Sequence, residues 1–83
     1  MPLYLDTHKK VPGLTAEGVA EAHAADLRVQ GKHNVSYLRY WYDEATGKVF
    51  CLAEAPSAEA AIAVHREAHG LLADEITEVR EGA

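Results

Sequence analysis

The sequence holds a single cysteine, Cys51. No disulfide can close within the chain, and one free thiol suits a reducing compartment, so the cytoplasm is the expected location. Clustered positive charge is missing too. Eight Lys and Arg are scattered among thirteen Asp and Glu, for a net charge of −5. That balance argues against nucleic acid and against anionic membrane surfaces as partners. No apolar run is long enough to span a bilayer, and Met1-Pro2-Leu3-Tyr4 does not read as a signal peptide. With no internal repeat, low-complexity segment or linker, residues 1–83 are expected to form one domain. Hydrophobic residues make up 48% of the chain, too many for disorder. A chain this short still buries only a modest core, and oligomerisation is a common remedy.

Six elements can be read in order. Leu3 to Thr7 alternates and is bounded by Pro2 and Lys9-Lys10-Val11-Pro12-Gly13, which predicts a strand with Leu3, Leu5 and Thr7 on one side and Tyr4, Asp6 and His8 on the other. Thr15 is a good helix N-cap with Glu17 in the first turn; the helix should run to about Gln30 and stop at Gly31. Its inward stripe reads Ala16, Val19, His23, Leu27 and Gln30, with Asp26 able to touch His23. Val35 to Tyr42 and Lys48 to Ala55 predict two strands joined by the loop Asp43–Gly47. Ser57 caps a second helix from Ala58 to about Leu72, bent near Gly70, with Ala58, Ala61, Ile62, His65 and His69 inward. Asp74 to Arg80 is a short last strand.

The order strand, helix, strand, strand, helix, strand predicts an α+β ferredoxin-like βαββαβ sandwich: a four-stranded antiparallel sheet with two helices on one face and the first and third strands central. The uncovered face would carry Tyr4, or Phe50 and Leu52, or Tyr40 and Tyr42, depending on register. Any of these leaves large apolar groups bare, so a homodimer packed sheet to sheet into a dimeric α/β barrel is expected.

The chemistry concentrates at one end. His65 and His69 stand four apart on one side of a helix, a spacing at which two imidazoles can share a divalent ion. The metalloprotease signature requires Glu directly after the first His; Arg66 stands there, so that motif is excluded. Following the topology at ~1.5 Å per helical residue and ~3.3 Å per strand residue, the second helix returns His65 to the level of Cys51 and His69 to that of His8. Cys51 falls near the level of Asp6, and His23 reaches the same zone from the first helix. The register of the first and third strands is open. His65 and Cys51 are expected on the helix-covered side, while Asp6 and His8 share a side that could instead face the subunit interface and give two distinct centres. Each feature also has a plainer reading: His23 as a core imidazole hydrogen-bonded to Asp26, Cys51 as a small buried hydrophobe, Glu54 as a strand-end carboxylate, His33 as a solvated loop residue.

Taken together, Met1-Pro2-Leu3-Tyr4-Leu5-Asp6-Thr7-His8, Ala22-His23-Ala24-Ala25-Asp26-Leu27, Tyr40-Trp41-Tyr42-Asp43, Gly47-Lys48-Val49-Phe50-Cys51-Leu52-Ala53-Glu54-Ala55-Pro56 and His65-Arg66-Glu67-Ala68-His69-Gly70 cover most of the chain. They resemble a family of small bacterial ferredoxin-like domains, formerly of unknown function, that includes nickel-binding proteins. The resemblance implies a dimer that binds a divalent metal, and it implies no known reaction. The candidate ligands it carries over are His8, His23, Cys51, Glu54 and His65, with Asp6 and His69 close behind.

Donor chemistry alone leaves the metal open. Imidazoles suit nickel, zinc and copper, carboxylates with water suit octahedral Ni2+, and a thiolate shifts preference toward zinc or tetragonal nickel. The leading expectation is a metal-binding protein that sequesters or senses nickel, with Zn2+ or another divalent ion as the alternative. The competing one is a small dimeric enzyme of monooxygenase or isomerase type, in which His23 or His65 works with Asp26 or Glu54 as general acid and base. A plain interaction domain is the third. Acid–base work needs one or two polar groups in an apolar pocket. Six ligand-type groups in one half of the chain exceed that and favour metal over catalysis.

Overall fold

A computed structural model describes residues 1–83. Its elements are β1 (Leu3–His8), α1 (Ala16–Val29), a 3-10 turn (Gln30–His33), β2 (Ser36–Asp43), β3 (Lys48–Glu54), α2 (Ala58–Ala68) and β4 (Glu75–Val79). The strands form one antiparallel sheet in the order β2-β3-β1-β4. With α1 and α2 packed on one face, this is the expected ferredoxin-like α+β arrangement, β1 and β3 central. The caps act where the sequence places them. Thr15 Oγ1 accepts from the Gly18 amide at 3.0 Å, and Ser57 Oγ from the Ala60 amide at 3.2 Å. Each satisfies one of the donors that a helix start leaves free.

Register decides which side chains meet. Asp6 pairs with Cys51 and His8 with Val49, so Asp6, His8, Val49, Cys51 and Ala53 all face the helices. The uncovered face carries Leu3, Leu5, Phe50, Leu52 and Trp41, while Tyr4 and Tyr40 lie on the helix side. A bulge between Tyr37 and Arg39 shifts the alternation of β2 by one residue. Tyr37 and Tyr40 thereby face the same side, which strict period-2 alternation forbids.

Three details depart from the sequence reading. α1 does not stop at Gly31: the chain tightens into the 3-10 turn, and Asn34 takes the left-handed conformation (φ 58°) with its amide on the Gly31 carbonyl. α2 ends at Ala68 instead of Leu72, closed by the Gly70 amide donating 2.8 Å to the His65 carbonyl, with φ +77° at Gly70. Leu27 is not on the inward stripe. It is 45% exposed, and Asp26 beside it is 2% exposed. The inward face of α1 is turned by one residue because a polar partner, His65, awaits a carboxylate there.

The core is small: Val19, Val35, Tyr37, Val49, Cys51, Ala53, Ala55, Ala61 and Val64. Inside it, between helices and sheet, lie four buried polar residues, Asp6, His8, Asp26 and His65. A small domain that gives this much interior to ionisable groups sacrifices apolar burial for them.

Candidate metal centre

Four elements each deliver a ligand-type side chain to one place. β1 presents Asp6 and His8 two residues apart on one face, β3 sets Cys51 beside Asp6, α1 lowers Asp26 from its third turn, and α2 brings His65 and His69 one above the other. His65 is the hub. Its Nδ1 lies 2.8 Å from Asp26 Oδ1, and its Nε2 lies 2.7 Å from Asp6 Oδ2. The second contact has ion-pair distance but poor hydrogen-bond alignment, which leaves Nε2 without a well-directed partner. Asp26 Oδ1 also meets His69 Nε2 at 3.1 Å. The Tyr37 hydroxyl donates to Asp6 Oδ2 at 2.6 Å and sits 3.2 Å from the Ala61 carbonyl, while its ring stacks on His65 at 4.7 Å.

Charge follows from these contacts. Burial pushes the His65 imidazole down more than any single neighbour acts on it, yet its contacts with Asp26, Asp6 and Cys51 together override it and raise its pKa to about 11. His65 is therefore an imidazolium clamped between carboxylates. Burial also opposes the charged form of Asp26, but its bonds to His65 and His69 hold its carboxyl below the ordinary value. His8 is pushed down by burial and by the neighbouring His65 charge, which keeps its imidazole neutral and free to donate a lone pair. Burial raises the Cys51 thiol, opposed by His65. Burial, then the Asp6 charge, pushes the Tyr37 hydroxyl far up, so it keeps the proton it donates to Asp6.

Two sets of ligand atoms lie within 4.8 Å of one another: His8, Cys51 and His65, and Asp26, His65 and His69. The second is already knit by its own bonds. The first has no such bonds, its His8 and His65 rings standing 5.4 Å apart and tilted. The wall between them and the first helix opens into a cavity of about 210 Å³ that also touches His23 and Tyr40.

A family model described as "Nickel responsive protein SCO4226-like" matches residues 4–79. The chain belongs to this family. SCO4226 from Streptomyces coelicolor A3(2), known from a crystal structure, is 43% identical, with TM-score 0.90 over 98% of this chain and 99% of that one. No curated protein matches the sequence. Within this SCO4226-like chain, the sequence-expected ligands divide cleanly. Asp6, His8, Cys51, His65 and His69 come together. His23 stands apart with its ring tilted 4.7 Å from Tyr40 and its Nδ1 buried without a partner. The expected His23–Asp26 contact is replaced by Asp26–His65, because helix rotation aims the carboxylate at α2. Glu54 does not join the cluster. It pairs with Leu3 at the opposite end of the sheet and, three residues from Cys51, points to the uncovered face about 10 Å along the strand. His33 lies beside Glu67, which also holds Lys32.

Asp26 and Tyr37 are the residues that sequence reasoning left out of the ligand network. A signal existed for Asp26: it lies seven residues beyond Val19 and three beyond His23, on one helical stripe. Tyr37 had none, since the bulge that turns it inward leaves no mark in the local pattern.

Proposed function

We infer that this chain binds a divalent metal, nickel first, through His8, Cys51 and His65. The observation that carries this reading is the convergence of three different donor side chains, all buried, with ligand atoms within 4.8 Å. Their chemistry fits a borderline ion: two imidazoles and a sulfur suit nickel, zinc or copper, and exclude calcium or magnesium, which take oxygen ligands. Asp26 on His65 Nδ1 supplies the outer carboxylate that typically orients a ligating histidine. Binding would displace the proton of the His65 imidazole, whose Nε2 stands 2.7 Å from Asp6 Oδ2. It would put a divalent ion in a buried, carboxylate-flanked site and release the protons of His65 and Cys51. Asp6 and His69 stand next to the centre as further donors. The family name, nickel responsive, supports nickel as the physiological ion and sequestration or sensing as the role.

The same geometry disfavours acid–base catalysis by His65. The carboxylates beside its ring nitrogens hold the imidazole in its protonated form, which suits it poorly as a general base. We further propose that the chain is a single domain that pairs through its uncovered sheet face, where Leu3, Leu38, Trp41, Leu52 and Val79 line a shallow groove. Elemental analysis of untagged protein, followed by calorimetry against nickel, zinc, cobalt and copper, tests the metal reading. Stoichiometric uptake of nickel, lost in a fold-checked His8→Ala variant, is expected. No uptake of any of the four ions would refute it.

A further inference from the structure

The cavity between α1, the β1–α1 loop and the sheet holds about 210 Å³, against the roughly 150 Å³ that accepts a benzene ring in an engineered protein cavity. Its surface is mainly apolar, from Val11, Leu14, Val19, Ala22, Val49 and Leu71. Leu71 is exposed, and the cavity opens to the surface beside it. Several polar groups along the wall are engaged within the chain. His65 Nδ1 and His69 Nε2 both meet Asp26 Oδ1, the Leu71 amide donates to His69 Nδ1, and Thr15 Oγ1 accepts from the Gly18 amide. The unpaired Nδ1 of His23 and Nε2 of His65 are sealed from the space. His8 differs from all of these. It is only 7% exposed and neither ring nitrogen bonds any group of the chain, yet neither nitrogen is sealed. His8 lines this cavity and not the groove on the other face of the sheet, so its free nitrogen edge meets the cavity. A buried polar group of this kind is costly unless something supplies its partner.

We propose that this cavity binds a small neutral ring compound bearing a hydroxyl, of phenol size, with its ring among the apolar side chains and its hydroxyl on His8. A hydroxyl both donates and accepts, so it serves either tautomer of a neutral imidazole. A water on the same nitrogen would lie against apolar wall, where a buried water needs two to four polar partners. A flat ring fills the remaining space and can pack on Tyr40, which lines the cavity with its ring 4.7 Å from that of His23. Charge narrows the class further. The His65 imidazolium, 5.4 Å from the His8 ring, repels an organic cation, and the Asp26 carboxylate in the wall repels an anion. Burial opposes both. The pocket stands without any ion. Because the metal reading also gives His8 to nickel, nickel and the phenol would compete for one imidazole, and the ligand belongs to the metal-free form.

The probe is phenol, titrated into chelator-treated protein and followed by methyl NMR, with toluene and benzoate in parallel. Phenol should shift the methyls of Leu14, Val19 and Ala22 saturably, and benzoate should not. Toluene has the same shape without the hydroxyl. The preference for phenol over toluene should fall at least ~5-fold in His8→Phe, the scale of one buried hydroxyl losing its partner. Ala22→Phe, which fills the cavity from α1, should lose phenol binding. Wild-type shifts, with Overhauser contacts from the phenol ring to the same methyls, decide the matter should either variant fail to fold. Absence of saturable phenol binding, or binding that leaves these methyls unmoved, would overturn the inference. So would benzoate binding there as well as phenol, a phenol preference unchanged in folded His8→Phe, or full phenol binding in folded Ala22→Phe. Each of those results leaves the metal reading intact, since nickel uptake tests that separately.

Discussion

Burying the His65 imidazolium strips it of water, and the fold keeps it there with two carboxylates, each 2% exposed like His65 itself. Removing one partner of such a pair costs far more than the pair contributes, because the survivor stays buried. Asp26→Ala should therefore lower stability by about 3 kcal/mol in urea denaturation, a large share of the margin of an 83-residue chain. Loss of less than about 1 kcal/mol would mean that the pair is open to water. The pH dependence has a definite sign. His65 is raised from 6.5 to about 11, so its contribution to the metal-free protein is complete below about pH 6.5 and is lost as pH rises toward 11. Asp26 is lowered from 3.8, so its contribution holds above that value and fades in acid. The metal-free protein should melt highest between about pH 4 and 6.5 and lower at pH 9, as followed by circular dichroism. A melting temperature that rises from pH 6 to 9 would contradict the clamp. For binding, His65→Ala should weaken nickel by at least ~10-fold, the scale of losing even an outer-shell contact. His33→Ala, whose ring meets Glu67 outside the cluster, should bind as wild type. Both variants must first show native far-ultraviolet dichroism.

The elements that aim these residues depend on a few backbone positions. The hairpin between β2 and β3 turns through Gly47, at φ +79°, where the Val11 amide donates to the Gly47 carbonyl at 2.8 Å. A Cβ there would stand 3.3 Å from the Val11 amide nitrogen in a backbone region that L-residues disfavour. Gly47→Ala should cost about 1–2 kcal/mol in a denaturant titration, while Asn34→Gly, already left-handed, should stay near wild type. Strand order and the caps were legible in the chain, because alternation and capping are local signals that agree with one another. The register that pairs Asp6 with Cys51 was not, because either parity of β1 fits its alternation. The rotation of α1 was not. A helix rich in alanine has no strong apolar stripe, so Leu27 drew the reading although a buried imidazole decides the face. The bulge in β2 was equally silent, since nothing in Ser36-Tyr37-Leu38-Arg39 marks an extra residue. Counting rise puts Asp6, His8, Cys51, His65 and His69 at one level, and in the structure they lie at one end of the sheet. Glu54 entered only through the resemblance, and its parity puts it on the other face.

At the scale of the molecule, the two faces of the sheet divide the work. The helix-covered face holds the ionisable cluster, and the uncovered one holds Leu3, Leu5, Trp41, Phe50 and Leu52. Trp41 is 49% exposed in a single chain, a wasteful position for an indole unless a second copy covers it. Light scattering should report a dimer at micromolar concentration, and Trp41→Glu should shift it to the monomer by placing charge in the apolar interface. A wild-type mass of 9.0 kDa would contradict the pairing. A dimer would also keep the two centres apart, each behind its own sheet, so nickel stoichiometry should scale with chains and not with interfaces.

The central claim is that one sulfur and two imidazoles of a single chain hold the ion, and X-ray absorption of the nickel-loaded protein measures it most directly. One sulfur scatterer at bonding distance, imidazole multiple scattering, and loss of the sulfur in Cys51→Ser are expected. A shell of oxygen and nitrogen alone, unchanged in Cys51→Ser, would contradict it.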